Sequence, residues 1–375
     1  MDQHRLTPLI ISLGLLVASP GLTTAQTASP VAPAPSPAVS PGTGPGSSPV
    51  APAPTIAIDA VEALAWTRVA TEDGPEPDAR EDHTLTVDAD GAAAWLFGGR
   101  DGGRAFGDLW RLDLATDTWQ RMDPPGDRPA KRFGHTATWL SGVGLVVFAG
   151  QAGPRFFDDL WAFDPATGAW SALPGDGRRP EARYGTCAAV GPDGRLWISH
   201  GFTASGRFGD TRAWDPGTGR WTVETPADGT VPVDRCLHDC LWAPDGRLLL
   251  YGGQTTGVAS LGDLWALDTA GARWTEQASP APGARRLYGL ATEGTSTAWL
   301  FGGADARDRP LADLWRWDLV TLDWTPVTLP EGAERPAARF GATLIADPAR
   351  GRLLLFGGEG RAGRTADLWV LSAPA

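Results

Sequence analysis

The chain of 375 residues is poor in several residue types on which common protein classes depend. Its 32 basic residues are outnumbered by 44 acidic ones, and the net charge is −12 at pH 7. Because a nucleic-acid binder needs basic residues to neutralise phosphates, we expect no nucleic-acid partner. Only 5 histidines are present, and no arrangement of serine, histidine and aspartate typical of a catalytic triad stands out.

Long apolar runs are also scarce. The apolar run at residues 9–18 is shorter than the roughly 20 residues that span a bilayer. Arg5 before it and small residues at 23–25 after it are typical of an export signal over residues 1–25. The alternatives are an uncleaved N-terminal anchor and a chance apolar start. We expect cleavage, an extracellular, periplasmic or cell-envelope location, and no transmembrane anchor in the cleaved protein.

Residues 26–57 lack charged side chains altogether and consist mainly of proline, alanine, serine, glycine and threonine. Such a segment buries too little apolar surface to offset the entropy lost on ordering. The composition predicts a Pro/Ala/Ser-rich disordered linker over residues 26–57, which acts as a spacer. We expect no functional site there.

Long helices are disfavoured because the chain has 48 glycines and 33 prolines, which both break helices. What the chain has instead is tryptophan, 18 residues in all, distributed between Trp66 and Trp369. Disordered chains lack aromatic side chains, so this part must be folded. The composition therefore predicts an all-β protein.

Residues 58–375 repeat with a period near 50 residues. A glycine that closes an apolar run recurs at intervals of 50 to 55 residues, at Gly99, Gly150, Gly201, Gly253, Gly303 and Gly358. An aspartate follows each glycine and precedes Leu-Trp in five of the six units, at Asp108, Asp159, Asp210, Asp263, Asp313 and Asp367. Such units, each with four short strand-like runs, predict the blades of a six-bladed β-propeller.

The fourth strand of the last blade must come from the other end of the repeat region. In the first unit the runs predict strands at 84–87, 94–97, 109–112 and 118–122. The sixth unit stops before its fourth strand, whereas residues 65–69 carry the signature of that strand around Trp66. We predict that residues 65–69 complete the sixth blade and close the ring. The tryptophans are interpreted as core between blades, and a carbohydrate-stacking role as the lesser alternative.

These units resemble the kelch repeat, in which paired glycines end the second strand and an aspartate with an aromatic residue follows. Four units match in full, as in Gly98-Gly99, whereas Ala149-Gly150 and His200-Gly201 depart from the pair. The resemblance implies four-stranded kelch-type blades like those of the galactose oxidase central domain. It does not fix function, because propellers carry many unrelated activities. A copper oxidase is not expected, since its site needs paired tyrosines and only 3 tyrosines are present.

One arginine near the start of the first strand recurs in every unit, at Arg80, Arg132, Arg183, Arg235, Arg285 and Arg339. Antiparallel geometry places these arginines and the repeated aspartates on one face of the ring. In some kelch domains that this chain resembles, arginines at this position contact acidic peptides. The six arginines are candidate ligand-binding residues; alternatively, each pairs with its aspartate and holds the blade together.

Short connections between the second and third strands favour a binding platform over an enzyme. We predict an exported, non-catalytic interaction module that presents an arginine-lined face to a protein or an anionic glycan, with no cofactor. The alternative is a carbohydrate-active enzyme, since exported sialic acid mutarotases are also six-bladed kelch proteins. A structural envelope protein is a third possibility.

The segment Cys236-Leu237-His238-Asp239-Cys240 offers three interpretations. Alternation along a strand puts Cys236, His238 and Cys240 on one side, where they could hold zinc or copper with Cys187. One of the two cysteines could instead form a disulfide with Cys187, as exported proteins favour. All three could also be buried free thiols. Histidines at comparable strand positions, such as His83 and His135, are interpreted as buried and hydrogen-bonded rather than as metal ligands.

Overall fold

The computed structural model describes residues 64–70, 74–227, 229–278 and 282–373. The predicted export signal and the predicted linker, residues 1–57, lie outside this part of the chain. Among the described residues, no helix has the length and apolar character required to cross a bilayer.

Six antiparallel sheets form the six predicted blades, and we name their strands a to d outward from the central channel. Strand boundaries predicted for blade 1 agree with the observed ones to within one residue. The strands of blades 1 to 3 are, in turn, Thr84–Val87, Ala93–Phe97, Leu109–Asp113 and Thr118–Met122; Thr136–Leu140, Gly144–Phe148, Leu160–Asp164 and Ala169–Ala172; and Cys187–Val190, Leu196–Thr203, Gly206–Asp215 and Arg220–Val223.

Blades 4 to 6 have the same order. Their strands are Asp239–Trp242, Leu248–Tyr251, Leu264–Asp268 and Arg273–Gln277; Gly289–Glu293, Thr297–Phe301, Leu314–Asp318 and Trp324–Pro326; and Thr343–Asp347, Arg352–Phe356, Leu368–Ser372 and Ala65–Arg68. A 3-10 turn at Pro348–Arg350 joins strands a and b of blade 6.

Short additional strands extend the sheets at the connections between strands b and c. Pairs form between Arg100–Asp101 and Arg104–Ala105, between Gln151–Ala152 and Arg155–Phe156, and among Arg339–Phe340, Glu359–Gly360 and Gly363–Arg364. Asp176–Gly177 lies parallel to strand d of blade 3. The predicted loops are therefore hairpins, which gives them a defined shape.

The N-terminal strand completes blade 6 as the sequence predicts. Ala65–Arg68 pairs antiparallel with Leu368–Ser372, with Trp66 opposite Leu371. Trp66 is only 4% exposed and packs edge-on against Phe301 of blade 5, with ring centroids 5.7 Å apart. The strand therefore contributes both backbone hydrogen bonds and core to the last blade.

Apolar clusters fill the six junctions between neighbouring blades. In five junctions the strand-d tryptophan of one blade faces the aromatic residue that ends strand b of the preceding blade. These ring centroids lie 5.0–5.7 Å apart in the pairs Trp66–Phe301, Trp119–Phe356, Trp170–Phe97, Trp221–Phe148 and Trp324–Tyr251. Strand b of blade 3 lacks such an aromatic, and there Trp274 faces His200 at 6.4 Å. The interpretation of these tryptophans as core between blades is confirmed.

A closed ring of backbone hydrogen bonds surrounds one end of the channel. It joins the residue two places after each repeated arginine, and we call these six residues the inner ring. Each N–H donates to the C=O of its counterpart in the preceding blade at 2.8–3.2 Å: Asp82 to Gly341, Gly134 to Asp82, Gly185 to Gly134, Leu237 to Gly185, Leu287 to Leu237 and Gly341 to Leu287. All six have φ between 53° and 63°, which glycine adopts freely. Asp82, Leu237 and Leu287 adopt it at a cost of roughly 1 kcal/mol or more each.

A second closed circuit of hydrogen bonds runs through the repeated arginines. The N–H of the repeated glycine in each blade donates to the backbone C=O of the arginine in the next blade at 2.8–2.9 Å, and Gly358 donates to Arg80 across the last junction. The C=O of the residue before that glycine accepts from Nη1 of the arginine in its own blade at 2.8–3.0 Å. One peptide unit per blade therefore joins two successive arginines.

The two units that lack the glycine pair keep the same backbone. Ala149 and His200 have φ of 64° and 58°, close to the 64° of Gly98. A Cβ on Gly98 would meet the ring of His135 in the next blade, whereas the equivalent residue after Ala149 is the smaller Thr186. The size of the neighbouring side chain accounts for Ala149 only, because His200 faces the equally large His238, with ring centroids 5.5 Å apart.

The turns between strands c and d allow a reciprocal test of backbone strain. Ala272 and Gly168 occupy equivalent turn positions with φ of 45° and 67°. Ala272→Gly should raise the free energy of unfolding by roughly 0.5–1 kcal/mol, because it relieves a left-handed alanine. Gly168→Ala should lower it by a similar amount, since a Cβ there meets no heavy atom within 4 Å and only strain is added. Urea denaturation measures both, and changes of the same sign would contradict this explanation.

Candidate functional site

Each of the six repeated arginines forms a bidentate ion pair with an aspartate of its own blade. Each guanidinium donates from Nη1 and Nη2 to both carboxylate oxygens of the aspartate before strand c, at 2.6–3.2 Å. The pairs are Arg80–Asp108, Arg132–Asp159, Arg183–Asp210, Arg235–Asp263, Arg285–Asp313 and Arg339–Asp367.

The arginines themselves do not reach solvent. Their side chains are 0–3% exposed, and in three blades a phenyl ring covers the guanidinium at 4.1–4.2 Å. The prediction that these residues line a ligand-binding face is therefore wrong, because their donors are used within the blade and their charge is covered. The alternative interpretation, pairing with the repeated aspartates, is what the structure shows for Arg80, Arg132, Arg183, Arg235, Arg285 and Arg339.

Each repeated aspartate also accepts a hydrogen bond from a residue two positions later, which explains why a tryptophan recurs there in five blades. In five blades the indole N–H of that tryptophan donates to Oδ2 of the aspartate at 2.6–2.9 Å. In the irregular third unit, Nε of Arg212 donates to Asp210 in its place at 2.8 Å. Burial alone would raise the pKa of Asp367, but its hydrogen bond and charge pairing with Arg339 lower that pKa to about 2. The carboxylate thus stays ionised at neutral pH.

A different set of arginines reaches solvent on the face that carries the hairpins between strands b and c. We call this the hairpin face and define it by residues 100–105, 151–156, 202–207, 254–259, 304–310 and 359–364. Five of its six hairpins have an arginine directly after the tip, at Arg104, Arg155, Arg207, Arg309 and Arg364. Arg104 and Arg309 are 70% and 56% exposed, so this is the arginine-bearing surface of the ring.

In blades 1 and 2 the buried and exposed arginines share a phenyl ring. The ring of Phe157 lies 4.1 Å from the guanidinium carbon of Arg132 and 4.9 Å from that of Arg155. Phe106 makes the same two contacts in blade 1. The ion pairs inside the blade therefore support the ring on which an exposed arginine rests.

Two of the five arginines after the hairpin tips have no carboxylate partner in the described part of the chain. Arg155 contacts only the Phe157 ring, and Arg207 donates to the Thr256 hydroxyl at 3.1 Å and lies 5.5 Å from the Phe202 ring. In the same two hairpins, the half-buried rings of Phe156 and Phe202 meet edge-on with centroids 5.9 Å apart. We call Arg155, Phe156, Phe202 and Arg207 the basic-aromatic patch. It combines unpaired positive charge with accessible aromatic surface in adjoining blades.

On blades 6 and 1, by contrast, the hairpin-face arginines Arg100 and Arg364 are paired with carboxylates. Arg100 lies 3.2 Å from Glu81 and 3.0 Å from Asp82, and Arg364 lies 2.9 Å from Glu81 and 2.6 Å from Glu359. Burial raises the pKa of Asp82 to about 6, although Arg100 opposes that shift. Burial likewise raises the pKa of Glu81. These groups satisfy one another, whereas Arg155 and Arg207, and the exposed Arg361 of blade 6, have no carboxylate partner among the described residues.

The cysteine-rich segment contains a disulfide. Cys187 of blade 3 is bonded to Cys240 of blade 4, with Cα atoms 5.6 Å apart, and Cys236 is a buried free thiol. The metal alternative for Cys236, His238 and Cys240 is wrong, because Cys240 is committed to the disulfide. No group of three or more His, Cys, Asp or Glu side chains suited to a metal is found among the described residues.

The histidines near the channel are buried and neutral. His135 shares a hydrogen bond with the Thr84 hydroxyl at 2.9 Å, and His200 with the Ser199 hydroxyl at 2.7 Å. Burial lowers the pKa of His83 and of His200 to about 3, and it also lowers that of His135 well below its usual value. The histidines are buried as predicted, but the predicted hydrogen bond is absent at His83, where neither ring nitrogen has a partner among the described residues.

Sequence reasoning missed the hairpin arginines, although a signal for them is present. They follow the repeated glycine by five or six residues, directly after the small residues of a hairpin tip in five of six units. The repeated arginines were the predicted ligand-binding residues because they recur in every blade. Positions that support the fold recur in this way, whereas Phe156 and Phe202 belong to positions that differ between blades.

Arg132 and Arg155 form a matched pair, since both contact Phe157. Arg132→Ala leaves Asp159 without its partner and the Ala149 C=O without a donor. We expect the free energy of unfolding to fall by about 2–4 kcal/mol. The lower end of this range applies if solvent screens the unpaired Asp159, which is 37% exposed. Arg155→Ala should change it by less than about 0.5 kcal/mol. Chemical denaturation separates the two, and an Arg132→Ala protein as stable as the wild type would refute the structural role.

Comparison with known proteins agrees with this architecture. The family described as the KLHDC2/KLHL20/DRC7 Kelch-repeats domain matches residues 51–253 and 243–374. The chicken Rab9 effector protein with kelch motifs is 31% identical over 42% of this chain and 43% of its own length. Mouse multiple epidermal growth factor-like domains protein 8 is 31% identical over 44% of this chain and 6% of its own length.

The orangutan (Pongo abelii) leucine-zipper-like transcriptional regulator 1 is 28% identical over 60% of this chain and 28% of its own length. The chain thus spans less than half the length of each of these relatives. Because the family match covers nearly all of the propeller, the chain belongs to the KLHDC2/KLHL20/DRC7 Kelch-repeats domain family.

Proposed function

We propose that this chain is an exported protein-interaction module that binds an acidic segment of a partner protein on its hairpin face. The observation that carries the proposal is the basic-aromatic patch. Arg155 and Arg207 have no carboxylate partner within the described residues, and Phe156 and Phe202 of the same two hairpins meet edge-on.

The chemistry of the patch favours a carboxylate-bearing peptide. Arginine offers a planar set of donors that fits a carboxylate through two hydrogen bonds. Arginine and aromatic residues also supply most of the binding energy in protein interfaces. The net charge of −12 opposes an acidic partner at long range, so binding would depend on short-range contacts with Arg155 and Arg207. In this proposal the hairpin arginines, and not the buried repeated arginines, form the arginine-lined face that the sequence predicts.

Relatives and scaffold support binding rather than catalysis. One kelch-containing relative is named an effector of Rab9, a description of a protein that acts together with another protein. The hairpins that form the face are short and tied by their own strand pairs, as a rigid docking surface requires.

Export is supported by the disulfide between blades 3 and 4. Disulfides persist in oxidising compartments outside the cytosol, and Cys187–Cys240 joins two neighbouring inner strands. The apolar run at residues 9–18 and the uncharged residues 26–57 are compatible with a cleaved export signal and a spacer.

A charge-matched pair of double variants tests the proposal on the full chain. Arg155→Gln with Arg207→Gln alters the patch, and Arg220→Gln with Arg273→Gln removes the same charge from exposed strand-d residues at the opposite face. The probe is a fluorescein-labelled peptide rich in glutamate and phenylalanine, with a lysine-rich peptide as its counterpart. Fluorescence anisotropy should show at least about tenfold weaker binding of the acidic peptide to the patch variant alone.

Equal affinity of both double variants for the acidic peptide would overturn the proposal. A patch-dependent response to a uronic acid oligosaccharide, without one to the peptide, would show that the face recognises an anionic glycan instead.

A further inference from the structure

The inner strands of the six blades enclose a cavity of about 460 Å³ along the axis of the ring. This volume lies within the roughly 300–1,000 Å³ of small-molecule sites. The inner ring bounds one end, where the ring of Tyr184 occupies the space beside Gly134 and the side chain of Leu237 the space beside Gly185. These side chains narrow the cavity at the end near the hairpin face. Access is therefore expected from the other end, where Val87 and Thr292 line it.

Most polar side chains on the cavity wall are already bonded to the protein. The Thr86 hydroxyl donates to the Ala137 carbonyl at 3.1 Å, and that of Thr343 to the His83 carbonyl at 3.1 Å. Thr84 bonds to His135 at 2.9 Å. These bonds join neighbouring blades, which gives the threonines a structural purpose.

Asp239 is the acidic side chain on this wall that has no partner, as the two ring nitrogens of His83 and of His238 also have none among the described residues. Its backbone N–H donates to the Tyr288 hydroxyl at 3.0 Å, and that hydroxyl donates to the Tyr251 carbonyl at 2.7 Å. The Asp239 carboxylate has neither a hydrogen bond nor an ion pair to any described residue, and burial raises its pKa to about 7. An unpaired carboxylate in such surroundings costs stability, and a threonine or an alanine would avoid that cost.

No positive group among the residues that the structure describes balances this carboxylate. The repeated arginines are committed to their aspartates, and Arg100 is committed to Glu81 and Asp82. His83 and His238 line the cavity, but burial lowers the pKa of each, so both are neutral at physiological pH. The rest of the wall is mixed: several threonines line it together with apolar side chains such as Leu290 and Ile345.

We propose that the central cavity binds a small organic cation, a primary ammonium with an apolar body, whose ammonium group pairs with the Asp239 carboxylate. The ammonium supplies the missing positive partner, and the apolar body fills the cavity against Leu290 and Ile345. A divalent metal ion does not fit, because it needs several ligand groups and the described residues place no such cluster here. This site is independent of the hairpin face and of any partner bound there.

The test uses n-butylammonium as the probe and n-butanol as its neutral counterpart, each with the full chain. Saturation-transfer NMR should detect n-butylammonium bound to the wild type and to the control Asp127→Asn, which alters an exposed carboxyl. Asp239→Asn keeps the side-chain shape and removes the charge, so it should bind the ammonium at least about tenfold more weakly. n-Butanol should not distinguish the three proteins.

A second measurement needs no variant. In the wild type, n-butylammonium should shift the amide resonances of Asp239 and Leu290 and leave those of Arg155 and Arg207 unchanged. Absence of binding to the wild type, undiminished binding to a folded Asp239→Asn, or shifts confined to the hairpin face would each overturn the proposal.

Discussion

Two closed circuits of hydrogen bonds hold this propeller together, one of backbone groups alone and one that passes through the arginine side chains, and both need all six blades. The inner ring links Asp82, Gly134, Gly185, Leu237, Leu287 and Gly341 head to tail. The other circuit passes from each repeated glycine to the arginine of the next blade and returns from Gly358 to Arg80. Removing a single blade would leave buried N–H and C=O groups unpaired in its neighbours, each at a cost of about 1–3 kcal/mol. The closed ring is thus the condition under which every blade satisfies its own backbone.

The arginines follow from this constraint. A guanidinium bonds both oxygens of its aspartate and still donates to the carbonyl of the glycine-containing peptide, as Arg80 does with Asp108 and Gly98. Lysine has no such planar fork, and Lys131 is the only lysine in the chain. A buried pair of this kind adds little net stability over apolar packing, but it fixes register and makes loss of either partner costly. In blade 2 the ring of Phe157 lies between the buried Arg132 and the exposed Arg155, so this ion pair supports a residue of the hairpin face.

Sequence reasoning reached the fold because the fold is repeated six times. The spacing of glycine, aspartate and tryptophan locates the strands, and Trp66 identifies the strand that completes blade 6, since these positions obey local rules. The burial of Arg132 did not follow from spacing, because it depends on Phe157 folding over the guanidinium. Asp239 could not be identified either. It is the one acidic residue at this repeat position, but its lack of a partner depends on packing across blades, which the spacing does not show.

Native-state hydrogen exchange of the inner-ring amides tests the central claim most directly. If the circuits hold the six blades as one unit, these amides should exchange only through global unfolding, with the same free energy in every blade. That includes Asp82 and Gly341, whose hydrogen bond spans the junction between the first and last blades. Fast exchange of Asp82, with protection retained at Gly134 and Gly185, would show an open ring and contradict the account.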